Sequence, residues 1–257
     1  MRQAFVQKSR LETERLTKHL PYRKKLRHMN HPRNYQKIKT IDDFRELDSP
    51  VPINVAWDVT PTESRQMVLR MLVKPKYGDW KIPDELFWLK DTLMKLHQID
   101  TKATGILESN CYVTVRHGIP ESQKDDEWHF DGASFRVDTI PERNYILVSH
   151  TPTEYKSGKL DIPEDFDPLK HDLFHFAAKQ LKDAEITTIE CNRWYLLNPF
   201  CLHRRNPNTP QIPRTFIRVS FVDIEIRDVN NTQNSLLPTP AFGRDPVHTF
   251  RNKLIKY

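Results

Sequence analysis

The second half of the chain alternates between short β-prone runs and chain-breaking residues, and this pattern constrains its fold most strongly. From residue 111 onward the runs are separated mostly by Pro, Gly, Asn or Asp; they are CYVTVRHG, FRVDTI, NYILVSHTP, SGKLDIP, EITTIE, RWYLLNP and RTFIRVSFVDIEI. Successive side chains of a strand point to opposite faces, so runs of this kind bury one side. Many short strands predict an antiparallel sandwich or jelly roll.

Helical patterns lie mainly before these strands. SRLETERLTKHL begins with a capping box, and TPTESRQMVLRML begins with a second one formed by Thr60 and Glu63. IPDELFWLKDTLMKLH has Leu residues at helical spacing, and DPLKHDLFHFAAKQL interrupts the strands with Asp167 as its predicted cap. The fold class predicted from these elements is α+β, with a β-sandwich or jelly-roll core flanked by N-terminal helices.

The charge distribution divides the chain in two. Residues 1–40 contain 12 Lys or Arg and 2 acidic residues, whereas the other residues contain 28 and 32. We therefore predict a basic N-terminal helix and arm over residues 1–50, and one large domain over residues 51–257. A basic arm is suited to a solvated segment or to an anionic partner such as nucleic acid, although this arm lacks interleaved aromatic residues.

Composition excludes some classes of protein and leaves others open. No apolar run approaches the ~20 residues that span a bilayer, and the N-terminus lacks the apolar region of a signal peptide. The 3 cysteines are odd in number and far apart, which favours reduced thiols over a disulfide framework. We therefore expect a cytoplasmic protein without a membrane partner. The oligomeric state is not predicted by any pattern.

Three side chains of the predicted strands have the chemistry of a metal site. WHFDGASFRV places His129 and Asp131 two residues apart, on one face of a strand, and His203 follows 72 residues after Asp131 at the end of an apolar run. Two imidazoles and one carboxylate form a 2-His-1-carboxylate set, which suits Fe(II) and leaves coordination positions open. A helical pair, His171 and His175, is superficially similar to a zinc-protease motif, but it has Asp in place of Glu and no evident third ligand.

A row of anion-binding side chains follows in PRTFIRVSF. Arg214, Arg218 and Ser220 have the same strand parity and therefore share one face. A guanidinium pairs bidentately with a carboxylate, and a nearby hydroxyl adds a further donor. These residues are suited to holding a dicarboxylate.

The ordered set His129-x-Asp131, then His203, then Arg218-x-Ser220 resembles the Fe(II)/2-oxoglutarate-dependent oxygenase superfamily, whose fold is a double-stranded β-helix or jelly roll. The resemblance covers roughly residues 110–226. It implies that His129, Asp131 and His203 hold Fe(II). It also implies that 2-oxoglutarate and dioxygen are co-substrates, and that a substrate C–H bond is hydroxylated while 2-oxoglutarate is converted to succinate.

The resemblance leaves the arginine of the co-substrate open. Arg214 lies 11 residues after His203 and Arg218 lies 15 residues after it. Arg218 is preferred because Ser220 completes Arg-x-Ser, and Arg214 would then meet an anionic substrate group.

Further substrate contacts are predicted on the strand that should border the site. Arg116, Tyr112 and Thr114 share one face of CYVTVRHG. The alternative for each of these residues is a surface or packing role without contact to a substrate.

The substrate itself is not encoded by these motifs. A small molecule, such as an amino acid or a biosynthetic intermediate, is preferred because residues 51–257 are slightly acidic. A nucleobase of DNA or RNA is the alternative suggested by the basic arm. A non-catalytic jelly-roll binding module is the alternative of another class.

Overall fold

The computed structural model describes residues 40–57, 67–118, 126–132, 135, 141–208 and 212–238, and the structural statements below refer to these residues. The strands are β1 (Glu46–Leu47), β2 (Val51–Ile53), β3 (Met67–Lys74), β4 (Asn110–Gly118), β5 (Arg143–Val148), β6 (Thr153–Lys156), β7 (Gly158–Lys159), β8 (Thr187–Thr188), β9 (Trp194–Leu197), β10 (Leu202–Arg205) and β11 (Arg214–Val222). The α-helices are α1 (Lys90–Thr104) and α2 (Leu173–Gln180), and 3₁₀ helices cover Ile41–Phe44 and Asp84–Leu89. Across these residues, no helix combines the length and the apolar character needed to cross a bilayer.

A six-stranded antiparallel sheet forms the largest layer, in the order β2-β9-β5-β11-β4-β3. A three-stranded sheet has the order β10-β6-β8, and β1 pairs with β7. The long strand β11 lies between β4 and β5, with Arg218 opposite Thr114 on one side and Ile146 on the other. The prediction of an antiparallel β core is confirmed, and the described residues contain few helices. The double-stranded β-helix winding stays a prediction.

The two faces of the large sheet have different chemistry because side chains alternate along its strands. One face is apolar and buried; its members include Val113, Val115, Tyr145, Leu147, Ile217, Val219 and Phe221. Helix α1 contacts this face, where the His97 ring lies 5.6 Å from that of Phe221. The opposite face carries Arg218 and Ser220, so these polar side chains are separated from the helix by the thickness of the sheet.

A buried ion pair fastens α1 to β5. Arg143 donates from Nε and Nη2 to the Asp100 carboxylate at 2.9–3.0 Å, and its Nη2 also donates to Ser109 Oγ at 2.8 Å. The Tyr145 hydroxyl donates to Asp100 Oδ1 at 3.0 Å. Arg143 and Asp100 are 0% and 1% exposed, so loss of one charge would leave the other buried without compensation.

We predict that Asp100→Ala destabilises the protein by about 3–5 kcal/mol, because it leaves the Arg143 guanidinium uncompensated in the core. Urea unfolding followed by circular dichroism measures the change. The matched control is the exposed pair of Arg193 and Glu190. Glu190→Gln should cost less than about 1 kcal/mol. Equal losses in the two variants would contradict a structural role for the buried pair.

The helix predicted over residues 60–72 is wrong over residues 67–72, which belong to strand β3; residues 58–66 lie outside the described part of the chain. A register shift between Val68 and Met71 explains the error. The shift leaves Val68, Met71 and Val73 buried, and the three-residue spacing of the first two is also that of a helix. Pairing with β4 decides the structure here.

The other helical predictions have separate outcomes. The helix predicted from Pro83 is confirmed as a 3₁₀ turn followed by α1. Helix α2 begins later than predicted, because its cap is Asp172 and not Asp167: Asp172 Oδ1 accepts from the amides of Phe174 and His175. The helix predicted over residues 9–20 lies outside the described residues.

The chain before residue 50 contributes to the core of the large unit. Phe44 is fully buried, and its ring lies 4.9 Å from that of Phe200 and 5.3 Å from that of Phe130. The division of the chain at residue 50 stays a prediction, since residues 1–39 are outside the described ranges.

Candidate metal centre

The WHFDG segment is attached to β10 by one antiparallel bridge. The His129 amide donates to the His203 carbonyl and the His203 amide to the His129 carbonyl, each at 3.0 Å. The segment is therefore not the regular strand that was predicted. The FRVDTI run after it lies outside the described residues except for Phe135.

Alternation of side chains nevertheless holds through this segment. Phe130 is 1% exposed, with its ring 5.3 Å from Phe44 and 5.5 Å from Phe174. Trp128 packs beneath the guanidinium of Arg204, 4.4 Å from its ring centroid. Trp128 and Phe130 therefore anchor the segment, while His129 and Asp131 are available to the cluster.

A sharp turn ends the segment at Gly132. This glycine has a φ of +73°, and a Cβ at its position would lie 2.4 Å from Glu142 Cβ. A side chain is therefore excluded both by conformation and by space.

The three predicted ligands lie together. One ligand atom each from His129, Asp131 and His203 can be chosen so that all lie within 4.8 Å of one another. His203 Nε2 is 3.5 Å from Asp131 Oδ2, and the two imidazole centroids are 4.4 Å apart. His203 is buried and the other two are half-buried, so the cluster is accessible from one side.

The outer nitrogens of both imidazoles are held by backbone carbonyls. His129 Nδ1 lies 2.7 Å from the Glu127 carbonyl, and His203 Nδ1 lies 2.9 Å from the Cys201 carbonyl. A carbonyl only accepts, so each Nδ1 carries a proton, and Nε2 is the ring nitrogen that could bind a metal. This orientation by the second nitrogen is typical of metal-binding histidines.

The Asp131 carboxylate is kept ionised. Burial favours its protonated form, but the Arg218 guanidinium, together with His203 and His129, holds the pKa of Asp131 well below its usual range. Arg218 Nη1 donates to Asp131 Oδ2 at 2.9 Å. A carboxylate and two Nε2 lone pairs fit Fe(II), and three protein ligands leave positions for other ligands.

The predicted anion-binding side chains share one face of β11 but differ in their contacts. Arg214 is 4% exposed; its Nε donates to the His150 carbonyl at 2.9 Å, and its guanidinium lies over the Phe216 ring. Ser220 Oγ donates to Asn144 Oδ1 at 2.5 Å. Arg218 contacts the cluster directly, through Asp131.

The predicted substrate contacts lie on the neighbouring strand β4. Thr114 Oγ1 accepts from the Arg70 amide at 3.0 Å, and the Tyr112 hydroxyl accepts from the Ile226 amide at 2.7 Å. Burial raises the pKa of the Tyr112 phenol. Arg116 is half-buried opposite Phe216. Their roles in substrate binding stay predictions.

Two further observations concern residues outside the predicted set. Asn144, missed at the sequence level, is buried opposite Ser220, and an Asn in the apolar run NYILV was the available signal. The pair His171 and His175 does not belong to any metal-binding cluster of the described residues. His171 instead accepts from the Asp167 amide through Nδ1.

Solved structures with distant similarity include non-haem enzymes. AviO1 from Streptomyces viridochromogenes Tue57 is 16% identical with a TM-score of 0.37, over 75% of this chain and 76% of that one. The α-ketoglutarate-dependent carbocyclase SnoK from nogalamycin biosynthesis is 12% identical with a TM-score of 0.40, over 66% and 68%. EvdO2 from Micromonospora carbonacea var. aurantiaca, solved with 2-oxoglutarate, is 10% identical with a TM-score of 0.37, over 74% and 83%.

No protein-family model matches the chain, and no curated protein matches it significantly by sequence. The TM-scores above are too low for any of these likenesses to carry an argument about this chain. Its chemistry is argued from its own residues.

We predict that the protein binds one Co(II), as a probe for Fe(II), with visible absorption bands of nitrogen and oxygen ligation. His129→Ala, Asp131→Ala and His203→Ala should each weaken this binding by at least roughly 10- to 100-fold, the loss that is usual even for residues that only orient metal ligands. His175→Ala, which changes an exposed side chain of α2, is the control and should bind normally. Unchanged affinity in His203→Ala would exclude the proposed centre.

Proposed function

We propose that the protein is a non-haem Fe(II)/2-oxoglutarate-dependent oxygenase that hydroxylates a C–H bond of a small molecule. The observation that carries the proposal is the convergence of two imidazoles and one ionised carboxylate, with both Nδ1 atoms held by backbone carbonyls. A purely structural polar cluster does not need both histidines in the tautomer of a metal ligand.

His129, Asp131 and His203 would hold the metal. An Fe(II) ion bound there supplies the oxidising chemistry, in which dioxygen and 2-oxoglutarate give succinate and carbon dioxide and one oxygen atom enters the substrate C–H bond. The chain contributes the orientation of the ligands and a cation, Arg218, beside the carboxylate. Buried apolar side chains such as Phe130 exclude water from one side of the centre.

The sequence pattern favours Arg218 as the partner of the distal carboxylate of 2-oxoglutarate. The contacts of the two arginines favour Arg214 instead. Two methylene groups separate that carboxylate from the keto acid end that would bind the metal. Its partner should therefore stand back from the metal ligands, whereas Arg218 is 2.9 Å from Asp131. Arg214 lies four residues away on the same face, roughly 13 Å along an extended strand.

We predict that Arg214→Ala weakens 2-oxoglutarate binding to the Mn(II)-loaded protein by about 10- to 100-fold, since a hydrogen bond to a charged group contributes about 1.5–3 kcal/mol. Calorimetry without oxygen measures the affinity. Arg227→Ala, which removes an exposed guanidinium, is the control. Arg218→Ala should change metal affinity more than co-substrate affinity, because Arg218 is ion-paired with Asp131. A larger loss of 2-oxoglutarate affinity in Arg218→Ala than in Arg214→Ala would instead assign the binding of this carboxylate to Arg218 and Ser220.

We further predict slow, uncoupled conversion of 2-oxoglutarate to succinate by the Fe(II)-loaded protein, because the proposed centre can turn over its co-substrate without the organic substrate. Succinate release is the measurement, and His129→Ala should abolish it. A binding module without catalytic activity would show neither Fe(II)-dependent succinate release nor a difference between parent and variant. Small-molecule pools that accelerate the release would identify the substrate class.

The nucleobase alternative depends on the basic arm, whose residues 1–39 lie outside the described ranges. Nothing on the metal face of the described residues favours a nucleic acid over a small molecule. A small molecule therefore remains the proposed substrate.

A further inference from the structure

Asn144 places an amide in the interior of the face that carries the metal centre. It lies on β5 directly opposite Ser220 of β11 and is 1% exposed. The next residue of β5 on that face, Ile146, lies opposite Arg218. Asn144 is therefore one side-chain position, roughly 7 Å along the strand, from the arginine that contacts Asp131.

The hydrogen bond with Ser220 fixes the direction of this amide. Ser220 Oγ donates its proton to Asn144 Oδ1 at 2.5 Å, so the amide oxygen faces Ser220. The Nδ2 atom is buried and has no hydrogen-bond partner among the described residues. Both of its N–H groups are thus available to an acceptor that the described part of the chain does not provide.

An unsatisfied buried amide costs free energy, because its bonds to water are lost and not replaced. A bound molecule that brings an oxygen acceptor would recover these bonds. The Ser220 hydroxyl cannot donate a hydrogen bond to such a molecule, since its single proton is already donated to Asn144 Oδ1. The donor available to a ligand at this position is therefore the Asn144 amide, although the Arg-x-Ser motif suggests the hydroxyl.

We propose that Asn144 Nδ2 binds a carboxylate or carbonyl oxygen of a molecule bound on the metal face, and that Ser220 is a positioning residue that holds the amide in place. This inference rests on the proposed function. The oxygen belongs either to 2-oxoglutarate or to the organic substrate. Both present the same acceptor chemistry, and both would lie on the same face as the Arg218 cation.

The first experiment measures 2-oxoglutarate binding to the Mn(II)-loaded parent and to Asn144→Leu by calorimetry without oxygen. A loss of about tenfold or more in affinity assigns Asn144 to the co-substrate. Asn110→Leu is the matched control, because Asn110 is also buried on this sheet but accepts from the Lys76 amide through Oδ1. It should keep the parent's affinity.

The second experiment covers the organic substrate. The small-molecule fraction of a cell extract is added to both proteins in the presence of Fe(II) and 2-oxoglutarate, and succinate release is followed. Unchanged 2-oxoglutarate affinity with a lost acceleration in Asn144→Leu assigns Asn144 to the organic substrate. The proposal is overturned if the parent and Asn144→Leu have the same 2-oxoglutarate affinity and the extract changes succinate release equally in both. The absence of any acceleration in either protein counts as an equal change.

Thermal unfolding without ligands separates a binding role from a structural one. The double variant Asn144→Leu/Ser220→Ala removes the unsatisfied donor together with its partner, and its melting temperature should match or exceed that of the parent. Asn110→Leu breaks a satisfied hydrogen bond and should melt earlier. A lowered melting temperature in the double variant, with unchanged ligand binding, would make Asn144 structural.

A further variant tests the inference if Asn144→Leu does not fold. Asn144→Asp keeps the acceptor for Ser220 and replaces only the amide nitrogen, so it should also weaken binding of a carboxylate. The failure of the inference is distinct from that of the proposed function: a parent that binds neither metal nor 2-oxoglutarate refutes the function. A parent that binds both, with variants that do the same, refutes only the role of Asn144.

Discussion

The pair of backbone hydrogen bonds between His129 and His203 is the constraint on which the rest of the centre depends. The bonds join two segments more than 70 residues apart in the chain, and each places a histidine directly opposite the other. Trp128 and Phe130 anchor the same segment by packing against Arg204 and the Phe44 cluster. The backbone therefore brings the imidazoles together before any metal is present. A metal would find its ligands oriented and would have little ordering entropy to offset.

The central strand β11 organises the charges around this centre. Its alternation sends Ile217 and Val219 into the apolar layer beneath α1, and it sends Arg214, Arg218 and Ser220 to the metal side. Antiparallel pairing with β4 and β5 on both edges fixes its register. A one-residue slip would replace Arg218 by Val219 or Ile217 and turn the arginine towards the apolar layer, so the apolar core and the polar face specify the same register.

The sequence was sufficient to indicate that His129, Asp131 and His203 lie together, and to predict most of the strands, because both depend on local alternation and on residue chemistry. It failed where tertiary pairing changes the local spacing. The register shift of β3 gives Val68 and Met71 a helical interval, and only the pairing with β4 distinguishes the two structures. It also failed for contacts across the sheet: the ion pair of Arg218 with Asp131 and the amide of Asn144 depend on which strands are neighbours, and no local pattern contains that information.

Arg218 and Asn144 illustrate two ways in which a buried polar group can be prepared for a ligand. Arg218 is stabilised in advance by Asp131, so its cost of burial is offset within the protein, and its remaining effect is on the charge of the metal ligand. Asn144 is oriented by Ser220 but left with an unsatisfied donor, so its cost is offset only when an acceptor arrives. The first arrangement supports a permanent site, and the second makes stability depend on occupancy. A buried amide without a hydrogen-bond partner among the described residues, on the same face as the proposed metal centre, is therefore better explained by ligand binding than by the needs of the fold.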